Sequence, residues 1–235
     1  MPFTFPLTVR SVKSLQAALA ALILFFQGFG LSAAEPKKAH DSKVFEPEIL
    51  AFEAMDKTNP PPADVTVFVG SSSIKKWTSL AKDFPDVKVI NRGFGGSHLI
   101  DSVYYADRIV IPYKPKRIVL FAGSNDINFG ITPEQVAEDF KAFVAKIRAT
   151  IPTVPIDYIS ISTSPSRFTQ LAKVRKANQL IADFIAKDPT LTYINVIDSM
   201  LEDGKPKPDI YGPDKLHMNP KGYAIWTGIV QPYLK

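Results

Sequence analysis

"VTVFVGSSSIKKW", residues 65–77, begins with five β-branched or aromatic positions and a glycine, then turns into three serines. An apolar run this short, without polar alternation, reads as a strand buried on both faces, as in the interior of a parallel sheet. The same phrase recurs along the chain. "VKVI" (87–90) precedes a Gly-rich turn and a candidate helix from Ser97, and "RIVLFAG" (117–123) precedes another turn and a long helical segment. "PIDYISI" (155–161) is followed by a third helical stretch, and "LTYINVI" (191–197) by the closing segment "NPKGYAIWTGIVQPYL" (219–234). Five short strands alternating with helices predict an α/β fold with a parallel sheet covered on both sides.

The best-marked helix spans 132–150. Val136, Phe140, Phe143, Val144 and Ile147 fall at helical spacing, Thr132 is placed as the cap, and Pro133 and Gln135 follow at first-turn positions. Leu171, Val174, Ile181, Phe184 and Ile185 mark the buried face of the next one. Before the first strand, "FEPEILAFEAMDKTNPPP" (45–62) reads as a short helix stopped by prolines, which cannot continue one.

The first 34 residues form a separate unit. Arg10 and Lys13 precede the apolar run "LQAALAALILFFQGFGL" (15–31), and "SAA" precedes a polar stretch from Glu35. This is the order of a secretory signal peptide with a cut before Glu35. The alternative is an uncleaved N-terminal anchor, the sole membrane contact the sequence suggests. The chain therefore divides into a leader (1–34), a polar linker with a helix (35–63) and a main domain (64–235). An exported protein, periplasmic or secreted, is the expectation. The chain has no cysteine, so the fold must hold by its core, and thiol nucleophiles and cysteine–zinc sites are excluded. From Glu35 onward there are 26 bases against 23 acids, and "PKK", "KK" and "KPKR" are short and scattered. Nucleic-acid binding needs a concentrated basic stripe, and none is present.

In open parallel sheets, ligands bind beyond the carboxyl ends of the strands. Four polar stretches lie on connections leaving that edge: "GSSSIKKW" (70–77), "NRGFGGSH" (91–98), "GSNDI" (123–127) and "DKLH" (214–217). Singly each is an ordinary turn. Jointly they supply a hydroxyl, a base, a carboxylate to orient it and donors for an oxyanion, the parts of an acyl-transfer site. Of the three histidines, His40 lies in the linker and His98 follows the Gly-rich turn with only Asp101 locally beside it. His217 has Asp214 one turn behind it, and Asn219 and Pro220 mark a helix start just after, so both readings of this stretch are compatible.

From about Val65 to the C-terminus the chain resembles the SGNH hydrolases, the GDSL-type lipase and acylhydrolase superfamily. It is most similar to the branch of platelet-activating-factor acetylhydrolase-like bacterial proteins. The four blocks of that superfamily match Ser72, Gly96, Asn125 and His217 in order. The resemblance implies a three-layer α/β/α sandwich of flavodoxin type and ester hydrolysis without metal or other cofactor. It also implies Ser72 as nucleophile, since Gly70 and Trp77 fit the phasing of the first block. Asp214 and His217 would complete a triad, with the N–H groups of Ser72 and Gly96 and the Asn125 amide facing the oxyanion. The departure is Ser71, where the family usually has aspartate; a serine side chain can also bond nearby backbone in the turn. Ile74 stands where a G-x-S-x-G elbow would have its last glycine, which disfavours an α/β-hydrolase.

The expected activity is an exported serine esterase on small acyl esters, of acetylated carbohydrate or lipid. The alternative is a catalytically weak or inactive module of the same fold that binds carbohydrate or a partner. Metal-dependent hydrolysis is a third class, and three scattered histidines offer it few ligands. Ser164, Ser166 and Arg167 in "STSPSRF" (162–168) lie near the same edge. Arg167 is read either as a contact for an anionic or sugar-like substrate or as the partner of a surface carboxylate, with no catalytic role.

Overall fold

The computed structural model describes residues 1–3 and 40–234, in two compact units, Met1–His40 and Asp41–Lys235. The leader reading falls almost wholly outside the described residues. Among those described, no helix is long and apolar enough to cross a membrane.

In the second unit a short 3₁₀ turn leads into α1 (Glu46–Thr58), then β1 (Thr66–Gly70), the single-turn helices α2 (Ser72–Lys75) and α3 (Leu80–Asp83), and β2 (Val89–Gly93). There follow α4 (Leu99–Ile109), β3 (Arg117–Phe121), α5 (Ser124–Phe129), α6 (Pro133–Arg148), β4 (Ile156–Ile159), α7 (Leu171–Ile185) and β5 (Leu191–Ile194). A two-residue ribbon, β6 (Leu201–Glu202) and β7 (Lys205–Pro206), precedes the last helix, α8 (Pro220–Val230).

The five main strands are parallel in the order β2-β1-β3-β4-β5, with Thr66 in register with both Val89 and Arg117. This is the flavodoxin-type order, in which the chain runs outward from β1 in one direction and then in the other. The apolar runs bury alternate residues in two cores, because successive side chains of a strand point to opposite faces. Val67, Val69, Ile118 and Leu120 meet residues of α4, α6 and α7, including Ile109, Phe140 and Ile181. Phe68, Val119 and Phe121 meet Trp77, Phe84 and Trp226 on the other face. The result is a three-layer α/β/α sandwich.

The strand read at 87–90 in fact runs from Val89 to Gly93, so "NRG" belongs to the sheet rather than to the turn. Arg92 is buried there because its guanidinium pairs with Asp56 and Tyr113 Oη accepts from its Nε at 2.9 Å. An apolar-run criterion stops short of such a residue.

The helix grouped with the linker is also part of this unit. Ile49 of α1 is fully buried in the first core, and Arg108 of α4 donates to Glu46 at 2.7 Å and to Glu53 at 2.6 Å. The compact unit thus begins at Asp41, ahead of the boundary at 64. Truncating such a buried isoleucine costs about 2–5 kcal/mol. Ile49→Ala is accordingly expected to lower the unfolding free energy of the whole domain, measured by urea titration, by about 2–5 kcal/mol, whereas a free linker helix would leave it unchanged.

Candidate active site

The turn that presents Ser72 is shaped by main chain. Gly70 ends β1 at φ +131, and a Cβ there would stand 1.9 Å from the Phe121 carbonyl oxygen at the end of β3. No other residue fits this approach. The next N–H, of Ser71, donates to the same oxygen at 2.9 Å, and the Ser71 carbonyl accepts from Ile74 and Lys75 at 3.0 and 3.1 Å, opening α2. The Ser71 side chain forms no capping bond. The side-chain bond that a serine can make in such a turn is not the capping bond here, and backbone contacts across the β1–β3 pair hold the turn. Tyr223 Oη donates to the Ser73 carbonyl at 3.0 Å and ties α2 to α8.

His217 arrives on a loop pinned at both ends. Gly212 N–H donates to the His217 carbonyl at 2.8 Å, Asn219 N–H to the Ile210 carbonyl at 3.0 Å, and Lys215 turns the chain at φ +54. Asn219 caps α8 by accepting from Lys221 N–H at 2.9 Å. The helix entrance and the histidine therefore coexist.

The structure brings Ser72, His217 and Asp214 together. His217 Nε2 lies 3.0 Å from Ser72 Oγ, and Nδ1 lies 2.6 Å from Asp214 Oδ2. The other carboxylate oxygen accepts the N–H groups of Leu216 at 3.0 Å and His217 at 2.9 Å. The bond from the imidazole, and then those from the two backbone amides, hold the Asp214 carboxyl well below the usual range. An ionised acceptor at Nδ1 fixes the proton on that nitrogen, leaving Nε2 to accept from the serine hydroxyl.

Asn125 follows Gly123, which is held at φ +112, in α5. Its Nδ2 donates to the Ser97 carbonyl at 2.9 Å, and its Oδ1 accepts from Arg167 Nη2 at 2.9 Å. Gly96 precedes Ser97 at φ +86, with open space where a side chain would stand. The same loop is tied again where Asp126 accepts from Leu99 N–H at 2.9 Å. Ser72, Asn125, Ser164, Arg167 and His217 line one small cleft of about 20 Å³. A far larger cavity of about 580 Å³ lies along β2 between Phe52, Trp77 and Leu80, and contains none of these groups.

His98 is a buried cap of α4, its N–H donating to Asp101, the acid that local spacing placed beside it, at 2.7 Å. The reading of Arg167 changes. Arg167 pairs with no surface carboxylate among the described residues. Its Nη1 donates to Ser124 Oγ at 2.8 Å and its Nη2 to Asn125. The signal for it was position: it follows β4 on the edge that carries the other blocks.

A family model described as "GDSL-like Lipase/Acylhydrolase family" matches residues 65–225. The chain belongs to this family. Membership makes it a hydrolase of the SGNH type, separate from the α/β-hydrolase superfamily, and implies small-molecule esters as substrates. No curated protein is a significant match to this GDSL-like sequence. Among solved structures it is similar to a candidate platelet activating factor from Streptococcus pneumonia, at 18% identity and TM-score 0.73, covering 94% of this chain and 99% of that one. It is also similar to a GDSL-like lipase from Bacteroides thetaiotaomicron, at 19% identity and TM-score 0.64 over 83% and 97% of the two chains. A carbohydrate esterase family 3 protein from Talaromyces cellulolyticus follows at 17% identity and TM-score 0.61, over 72% and 95%. At such identities these likenesses speak for the fold.

Asp126 tests how tightly the site's second layer is packed. It is 1% exposed, its second oxygen has no hydrogen-bond partner among the described residues, and burial pushes its carboxyl up to about 7. The unfolded chain ionises it from about pH 4, while the native state keeps the proton until about pH 7, so native stability falls through that window. Asp126→Asn removes the titration. Its stability relative to wild type is expected to rise between pH 4 and 7, by up to about 1.4 kcal/mol per pH unit, and then level off. Urea midpoints at pH 4, 5.5, 7 and 8 measure this; a constant difference would contradict it.

Proposed function

We propose that this GDSL-family chain is an exported serine esterase that removes small acyl groups through an acyl-enzyme. The observation that carries the reading is the continuous hydrogen-bonded path from Ser72 Oγ through His217 to Asp214. In the proposed sequence Ser72 Oγ bonds to the ester carbonyl carbon as His217 Nε2 takes its proton, and Asp214 stabilises the imidazolium. The negative charge on the former carbonyl oxygen is met by the N–H groups of Ser72 and Gly96 and by the amide of Asn125. The carbon–alkoxy bond then breaks, His217 returns the proton to the departing alcohol, and water repeats the steps to release the acid.

The narrow cleft, about 20 Å³, supports a short acyl group. An acetyl esterase with bound acetate and a carbohydrate esterase are among the similar folds, consistent with acetylated sugars as one substrate class. Export is supported by the N-terminal pattern of basic start, apolar middle and small-residue exit.

The test is labelling by a fluorophosphonate probe together with turnover of p-nitrophenyl acetate. Wild type is expected to do both and Ser72→Ala neither, while equal behaviour of the two refutes the reading. Asn125→Ala is expected to lower kcat about a hundredfold with the fold retained by circular dichroism. Across acetyl, butyryl and octanoyl esters kcat/KM should fall with chain length; a preference for octanoyl would overturn the short-acyl assignment.

A further inference from the structure

The segment after β4 is more firmly held than a surface loop. Ser166 N–H donates to the Lys215 carbonyl at 3.0 Å and Tyr211 Oη to the Thr163 carbonyl at 2.6 Å, so it is fastened to the loop that carries His217. On its other side the Arg167 fork spans Ser124 Oγ and Asn125 Oδ1. Arg167 therefore stands between the two halves of the site.

The chemistry of this contact is directional. A guanidinium only donates, so the Asn125 oxygen must face Arg167 and the amide nitrogen must face away. One of the two amide hydrogens is taken by the Ser97 carbonyl. The other makes no bond among the described residues, and Asn125 lines the same cleft as Ser72 and His217. A bond from a cation to the amide oxygen also polarises the amide, which makes its remaining N–H a stronger donor. No carboxylate of the described residues lies within ion-pair distance of Arg167, and burial pulls its guanidinium below the ordinary range. Its charge is thus not cancelled by a neighbour and is weakly screened.

Building on the serine-esterase reading, we infer that Arg167 is a positioning residue for the oxyanion site: it fixes the Asn125 amide and lends it positive charge as the tetrahedral intermediate forms. It acts through Asn125 and not on the substrate. Lysine keeps the charge but lacks the planar fork that reaches two acceptors.

A double-mutant cycle on the full chain with p-nitrophenyl acetate tests this. Arg167→Met is expected to lower kcat by about 10- to 100-fold with KM changed less than about threefold, as for partial loss of one oxyanion donor. Arg167→Lys should recover part of that loss. In the Asn125→Ala background, where there is no amide to position, Arg167→Met should cost less than about threefold. Equal losses in both backgrounds, or a rise in KM alone, would overturn the assignment; the second result would make Arg167 a substrate contact. Should Arg167→Met not fold, the same comparison with Arg167→Lys decides. Fluorophosphonate labelling of Ser72 separates the two levels. A wild type that neither labels nor turns over ends the esterase reading and this assignment with it, whereas an active wild type with an additive cycle ends the assignment alone.

Discussion

At the ends of β1 and β3 two backbones approach so closely that a Cβ on Gly70 would lie 1.9 Å from the Phe121 carbonyl. The same carbonyl then receives the Ser71 N–H. This contact sets the direction in which the chain leaves β1, and so the place of Ser72. Two residues beyond Phe121, the chain turns through Gly123 into the segment holding Asn125. One carbonyl thereby couples the proposed nucleophile to the proposed oxyanion donor. It is covalently part of the sheet, whose parallel register is kept by two apolar cores.

Around that fixed point the charged groups are distributed by solvent access. Asp214 is exposed, and its charge is stabilised by three hydrogen bonds within its own loop. Asp126 is buried beside the site, accepts the Leu99 N–H, and its other oxygen has no hydrogen-bond partner among the described residues. The first arrangement favours an ionised carboxylate and the second opposes one. Two acids near one edge can therefore differ in protonation at neutral pH without any metal or ligand between them.

Much of this was legible in the residues, and the failures have a common form. Strands β1 and β3 are continuous apolar runs because both their faces are buried, which composition alone reveals. His217 and Asp214 share a local spacing, and Asn219 beside them follows ordinary capping chemistry. What could not be read were properties that depend on partners distant in sequence. Arg92 continues a strand only because Asp56 and Tyr113 wait for it, α1 joins the domain through Ile49 and Arg108, and Arg167 finds Ser124 and Asn125 rather than a carboxylate. Ser71 misled differently. Its type suggested side-chain bonding, whereas the turn is satisfied by peptide groups, which every residue carries.

Ser72 and His217 are 145 positions apart, and the loop that carries the histidine is closed by Asn219 at the mouth of α8. The proposed hydroxyl and its proposed base therefore meet only through tertiary contact between the turn after β1 and the entrance of α8. A proteolytic fragment that keeps one of these segments and loses the other holds half of the pair and cannot assemble it.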